Sequence, residues 1–121
     1  NGMWKGIKIH HPNGQAAVKD SWFEDAEIAF RIDDGRPCSF RNNFFNRNNI
    51  GISSGDAVAG QTGLIFTSFV TNKFDCDSPL NTNIGFGTVG FAGIKLEGTT
   101  ATINSGFNVT NTFKRLQYGI H

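Results

Sequence analysis

Residues 18–30 and 40–52 lie one above the other without a gap, at an offset of 22 residues. Val18 falls on Phe40, Lys19 on Arg41, Asp20 on Asn42, Trp22 and Phe23 on Phe44 and Phe45, Ile28 on Ile50, and Ala29 on Gly51. Only Ala26 and Asn48 differ in character. The second half of this unit returns at residues 113–120, with Phe113 on Phe45, Tyr118 on Ile50 and Gly119 on Gly51. Shorter copies of its ending stand at 4–7 and 91–94. Small residues therefore recur at Gly6, Ala29, Gly51, Gly93 and Gly119. The 42-residue gap between Gly51 and Gly93 reads as two repeats, with an unmarked one near 70–74. The 68-residue offset from Phe45 to Phe113 likewise reads as about three. Five intervals result, averaging 22 to 23 residues, inside the range of roughly 20–50 that marks solenoids.

Within each unit the polarity alternates. Ala26, Ile28 and Phe30 share one face, and Glu27, Ala29 and Arg31 the other, which is the period of a strand. No long stretch keeps a period of 3.6. The expected fold is all-β: a parallel β-helix fragment of about five coils. Coils would be regular over 1–52 and 91–121, with an irregular insertion over 53–90. In such a stack each coil rests about 4.8 Å above the last, so equivalent side chains touch. Inward columns must then be apolar in every coil, which assigns Phe23, Phe45 and Phe113 to one and Ile28, Ile50 and Tyr118 to another. The small column, including Gly51 and Gly119, marks a bend or a close approach to a neighbour. Asp20 and Asn42 suit a tight corner, and stacked Asn side chains can bond from coil to coil.

Composition agrees. The 12 Phe supply a core, while 15 Gly and only 3 Pro favour turns over helices. With a net charge of +1 and 17% charged residues, neither nucleic acid nor an anionic membrane is an expected partner. No apolar run is long enough to span a bilayer. Residues 1–4 lack the basic and apolar parts of a signal peptide. Both ends read as core-like, which suggests flanking coils of a parent chain, or another molecule, stacked upon them. Cys38 and Cys76 are compatible with one disulfide or with two buried thiols.

The pattern MWKGI, V.DSWFEDAEIAF, FRNNFFNRNNIGI and TFKRLQYGI resembles the right-handed parallel β-helix regions of large secreted and surface proteins of Bacteroidota type, within the pectate-lyase-like superfamily. The likeness covers about two thirds of the chain and leaves out 53–90. It implies an extracellular or cell-surface location and contact with polysaccharide or surface glycan, and its relatives include polysaccharide-degrading enzymes, tailspikes and adhesins.

Candidate chemistry is sparse. Glu24, Asp25, Glu27, Arg31, Asp33, Asp34, Arg36, Arg41 and Arg47 are expected to point outward. Asp25 falls on Arg47, an ion pair between coils worth about 0–1 kcal/mol, but Glu24 and Glu27 fall on Asn46 and Asn49. No acidic column persists, so a solvated face is expected and no catalytic residue is assigned. Asp75-Cys76-Asp77 offers two oxygens to Ca²⁺, far short of the six to eight that ion takes, so no cofactor or metal is expected. His10-His11-Pro12-Asn13-Gly14 reads as a surface turn, and Asp33-Asp34-Gly35 as a corner. The glycines at 85, 87 and 90 are not followed by the Lys-Ser/Thr of a phosphate loop. Trp22 and Phe44 are the candidate glycan-stacking pair. The expectation is that a corner lets their column pack inward beside Phe23 and Phe45; without one, consecutive strand residues would leave it exposed as an aromatic strip. The function expected is a non-catalytic structural or recognition segment. Part of a polysaccharide lyase or glycoside hydrolase is the alternative.

Overall fold

The computed structural model describes residues 2–9, 16–32, 37–54, 64–80, 89–96, 101–103 and 111–121, and only the backbone of Pro37, Leu64 and 101–103. The described residues form strands and no helix: β1 (Ile7–Ile9), β2 (Ala16–Lys19), β3 (Trp22–Glu24), β4 (Ile28–Ile32), β5 (Pro37–Arg41), β6 (Phe44–Asn46), β7 (Ile50–Ser54), β8 (Leu64–Val70), β9 (Lys73–Asp75), β10 (Gly90–Leu96), β11 (Ala101–Ile103), β12 (Thr112–Phe113) and β13 (Leu116–Ile120). They build three sheets, ordered β1-β4-β7-β10-β13, β2-β5-β8-β11 and β3-β6-β9-β12. Every named pairing is parallel. Each sheet thus takes every third strand, and the chain visits the three in turn.

Register follows the repeat. Phe23 lies beside Phe45, Phe45 beside Phe74, and Phe74 beside Phe113. Their rings stack at centroid distances of 5.1, 4.6 and 4.9 Å. Ile28 pairs with Ile50. The interior is closed by rings from the other sheets, with Phe30 edge-on to Phe40 at 5.2 Å. Aromatic pairs in this geometry gain ring–ring attraction beyond the area they bury.

The corners explain why short strands can turn so sharply. Between β2 and β3, β5 and β6, and β8 and β9 only two residues intervene. The first of each pair, Asp20, Asn42 or Thr71, has a φ of 52 to 56°. Asp and Asn tolerate that left-handed conformation; the β-branched Thr71 does so less readily. The second residue is Ser21, Asn43 or Asn72, and Asn111 holds the same place before β12. Asn43 Nδ2 donates to Asn72 Oδ1 at 3.0 Å and to the carbonyl of Val18. Asn72 Nδ2 donates to Asn111 Oδ1 at 3.1 Å and to the carbonyl of Phe40. This ladder answers the backbone polar groups that each corner would otherwise bury unpaired. A second corner, with Asp25, Arg47 and Arg115 at φ of 50 to 57°, turns the chain toward the sheet of β4, β7, β10 and β13.

Four expectations need correction. β7 pairs directly with β10, setting Ile50 beside Ala92 and Ile52 beside Ile94. The interval from Gly51 to Gly93 is therefore one step across the sheet, and Phe45 to Phe113 is two, with Phe74 between. The intervals read as two and about three repeats are therefore one and two, while the sheet that begins with β1 holds five strands. Second, the irregular insertion expected over 53–90 does not include 64–75: residues 64–70, which read as strand in the sequence, form β8, and β8 and β9 join their sheets, β8 with one irregularity opposite Cys38 and Ser39 that turns both Phe66 and Phe69 inward. Third, Ala29 and Gly51 are buried although alternation set them opposite Ile28 and Ile50. The ring column presses on them: a Cβ on Gly51 would sit 2.7 Å from the Phe74 ring, and one on Gly93 2.6 Å from Phe113. Fourth, Tyr118 is 40% exposed. It pairs with Ala92 from strand β13 and rests on Phe91 and His121 at 5.4 and 4.5 Å.

Candidate functional site

The sheet of β3, β6, β9 and β12 has an inward column of Phe and an outward column one residue earlier. Trp22 pairs with Phe44, Phe44 with Lys73, and Lys73 with Thr112. The two-residue corners end before Trp22 and Phe44, so nothing turns this column inward. Trp22 is 64% exposed and Phe44 half-buried, against the expectation that both pack inside. Their rings lie 4.9 Å apart at 50°. The outward column lines an open groove of about 610 Å³ together with Asp20, Asn42, Asp75 and Lys114. A smaller hollow of about 320 Å³ adjoins it at the corner, between Lys19, Arg41 and Val70.

The carboxylates here are engaged. Asp20 accepts from Asn42 Nδ2 at 2.7 Å. Asp75 takes a forked contact from Arg115, with Nε at 2.7 Å, and also accepts from the backbone N–H of Cys76. The Arg115 hydrogen bond holds the Asp75 carboxyl below the usual carboxylate range, against the opposing effect of burial. A lowered pKa means that the folded state favours the ionised form. That stabilisation is complete above about pH 4 and is lost as pH falls through the lowered value. Asp75→Asn is accordingly expected to be less stable than the wild type at pH 7, with the gap narrowing at pH 3. Urea midpoints at the two pH values measure this; a gap independent of pH would count against it.

Beyond the groove, Arg47 binds Glu24 at 2.9 Å, Asp25 at 3.1 Å and Asp77 at 3.5 Å. The Asp25–Arg47 pair is thus present, with two further carboxylates on the same guanidinium. Asp75 and Asp77 face different arginines. Among the described residues no group of three or more His, Cys, Asp or Glu is placed to hold a metal ion. Cys38 and Cys76 are buried thiols that form no disulfide with each other, and burial pushes the pKa of both up. The turn expected at 10–14, the corner at 33–35, and the glycines at 85 and 87 lie outside the described residues, while Gly90 opens β10.

Lys73, Thr112 and Lys114 escaped the reading of the sequence. The signal for Lys73 was present: 71–74 repeats 42–45, with Asn72 on Asn43 and Phe74 on Phe45, but at an offset of 29 that a fixed period passes over.

Fold and site together define an all-β domain of three parallel sheets, with an aromatic and basic groove on the outer face of one. No protein-family model, curated protein or solved structure matches the chain.

Proposed function

We propose that this chain is a segment of a right-handed parallel β-helix and serves as a non-catalytic structural and recognition part of an extracellular bacterial surface protein. Its exposed aromatic column contacts glycans. The cyclic visiting of three parallel sheets supports the helical reading. The recognition reading rests on one observation: Trp22 stands well exposed beside Phe44 in an open groove. Flat apolar rings in such a place suit the apolar faces of pyranose rings, and exposed Trp costs solvation unless something covers it. The engagement of Asp20 and Asp75 with Asn42 and Arg115 favours recognition over acid–base chemistry.

A glycan array followed by titration calorimetry tests the reading. Binding is expected, and Trp22→Ala is expected to weaken it at least about tenfold, as for a central aromatic anchor. An array without hits, or a Trp22→Ala variant that binds as the wild type does, would remove the recognition role. Release of new reducing ends from a bound polysaccharide would overturn the non-catalytic part and favour a lyase or hydrolase. Cell fractionation of the full-length parent checks the extracellular placement.

A further inference from the structure

The groove changes character along its length. Its outward column reads Trp22, Phe44, Lys73, Thr112 from β3 to β12, with Lys114 beside Thr112 and Phe113. One end is aromatic and the other cationic. Adjacent strands lie about 4.8 Å apart, so Lys73 sits about 10 Å along the stack from Trp22.

Among the described residues the positive charge is only partly met within the protein, Lys114 being attracted to the Asp75 carboxylate. Asp75 is held by Arg115 and the Cys76 N–H, and among the described residues Lys73 belongs to no ion pair. At the adjoining hollow Lys19 pairs in register with Arg41, and both are exposed. Like charges opposite each other on neighbouring strands are destabilising. Asp20 also lines that hollow, so the charge that an anion from outside would chiefly meet is that of Lys73, with Lys114 beside it shared with Asp75.

Resting on the glycan reading above, we infer that the ligand is an acidic glycan bound in a fixed direction. Its neutral rings lie over Trp22 and Phe44, and a carboxylate or sulfate group lies over Lys73 and Lys114. The aromatic half supplies contact area and the cationic half selects the charged substituent and sets the orientation.

The test uses matched immobilised probes: homogalacturonan with its methyl ester, a sulfated galactan with its desulfated form, and phosphatidylserine vesicles. The acidic member of at least one pair is expected to bind about tenfold tighter than its neutral counterpart, with the preference shrinking as salt rises. The two pairs tell a carboxylate from a sulfate. Lys73→Ala/Lys114→Ala is expected to abolish the preference while keeping the weaker neutral binding, and Trp22→Ala to weaken both members. Both lysines are exposed, and circular dichroism confirms that the double variant is folded. Equal binding of acidic and neutral members, or a preference that survives the double substitution, overturns the inference and leaves glycan recognition standing. Vesicle binding as tight as that of the acidic probes overturns it in favour of a lipid surface. Absence of binding to any glycan sinks the proposed function as well.

Discussion

Phe45→Ala is expected to lower the unfolding free energy by about 3–5 kcal/mol, the usual range for truncating a buried Phe. Phe45 is 1% exposed and sits between two parallel rings, Phe23 at 5.1 Å and Phe74 at 4.6 Å, with Phe40 tilted against it at 6.3 Å. The hole left by its ring cannot close easily. Its neighbours above and below stand on strands whose spacing the parallel ladders fix, and small Ala29 and Gly51 offer no atoms to move in. Glu24, which follows Phe23 directly and reaches Arg47 on the outer side, is the control. Its carboxylate also accepts from the buried Asn46 amide at 3.0 Å, so Glu24→Ala is expected to cost about 1–2 kcal/mol, still below the loss at Phe45. Urea denaturation of both variants measures the contrast as a shift in midpoint at unchanged slope. Comparable losses would contradict the inward placement of the Phe column.

That column was partly visible in the sequence, and the part that was not has a physical cause. Phe23 over Phe45 and Ile28 over Ile50 follow from a gap-free offset of 22 residues. Two-residue corners and one loop of constant length held that register. Phe74 and Asn72 are equally regular in space but not in sequence. The parallel strands and the tight corners are constrained, because their side chains are buried or stacked. Connections between strands can lengthen at little cost in closure entropy. Counting residues therefore fails where counting strands does not. The alternation rule failed at Ala29 and Gly51 for another reason. A period of two tells which way a side chain leaves a flat sheet, whereas here the neighbouring sheet brings its Phe rings against the small column. At Trp22 the same rule would have succeeded. The expectation of a corner displaced it, although that corner closes at Ser21. The cationic end of the groove stayed hidden because Lys73 and Lys114 join Trp22 only once β9 is placed beside β6 and β12 beside β9.

The polar ladder makes the second strong prediction. Asn72→Ala is expected to destabilise the protein by about 3–5 kcal/mol, the sum of two buried groups left unpaired and a small void, although it removes no apolar surface. Asn72 is fully buried. Its Oδ1 accepts from the backbone N–H of Asn43 at 3.2 Å and from Asn43 Nδ2 at 3.0 Å, and its Nδ2 donates to the Phe40 carbonyl at 2.9 Å. Alanine leaves that N–H without its acceptor and that carbonyl without its donor. Each buried orphan costs about 1–3 kcal/mol, and the missing amide leaves a gap at the corner. Asn42 occupies the preceding position but is exposed, in the left-handed conformation with φ of 56°. Asn42→Gly is expected to change stability by only about 0.5 kcal/mol, since glycine adopts that φ freely. Asn72→Asp separates hydrogen bonding from size. It keeps Oδ1 but turns a second oxygen toward the Phe40 carbonyl and buries a charge, so the folded state raises the pKa of the new carboxyl. A raised carboxyl pKa means that the unfolded chain releases its proton first, so the variant loses stability relative to the wild type as pH rises. Chemical denaturation at pH 4.5 and pH 7.5 distinguishes the cases. The deficit of Asn72→Asp should widen at the higher pH, while that of Asn72→Ala stays nearly constant. A deficit for Asn72→Ala no larger than that for Asn42→Gly would show that water, and not the amide, satisfies the corner.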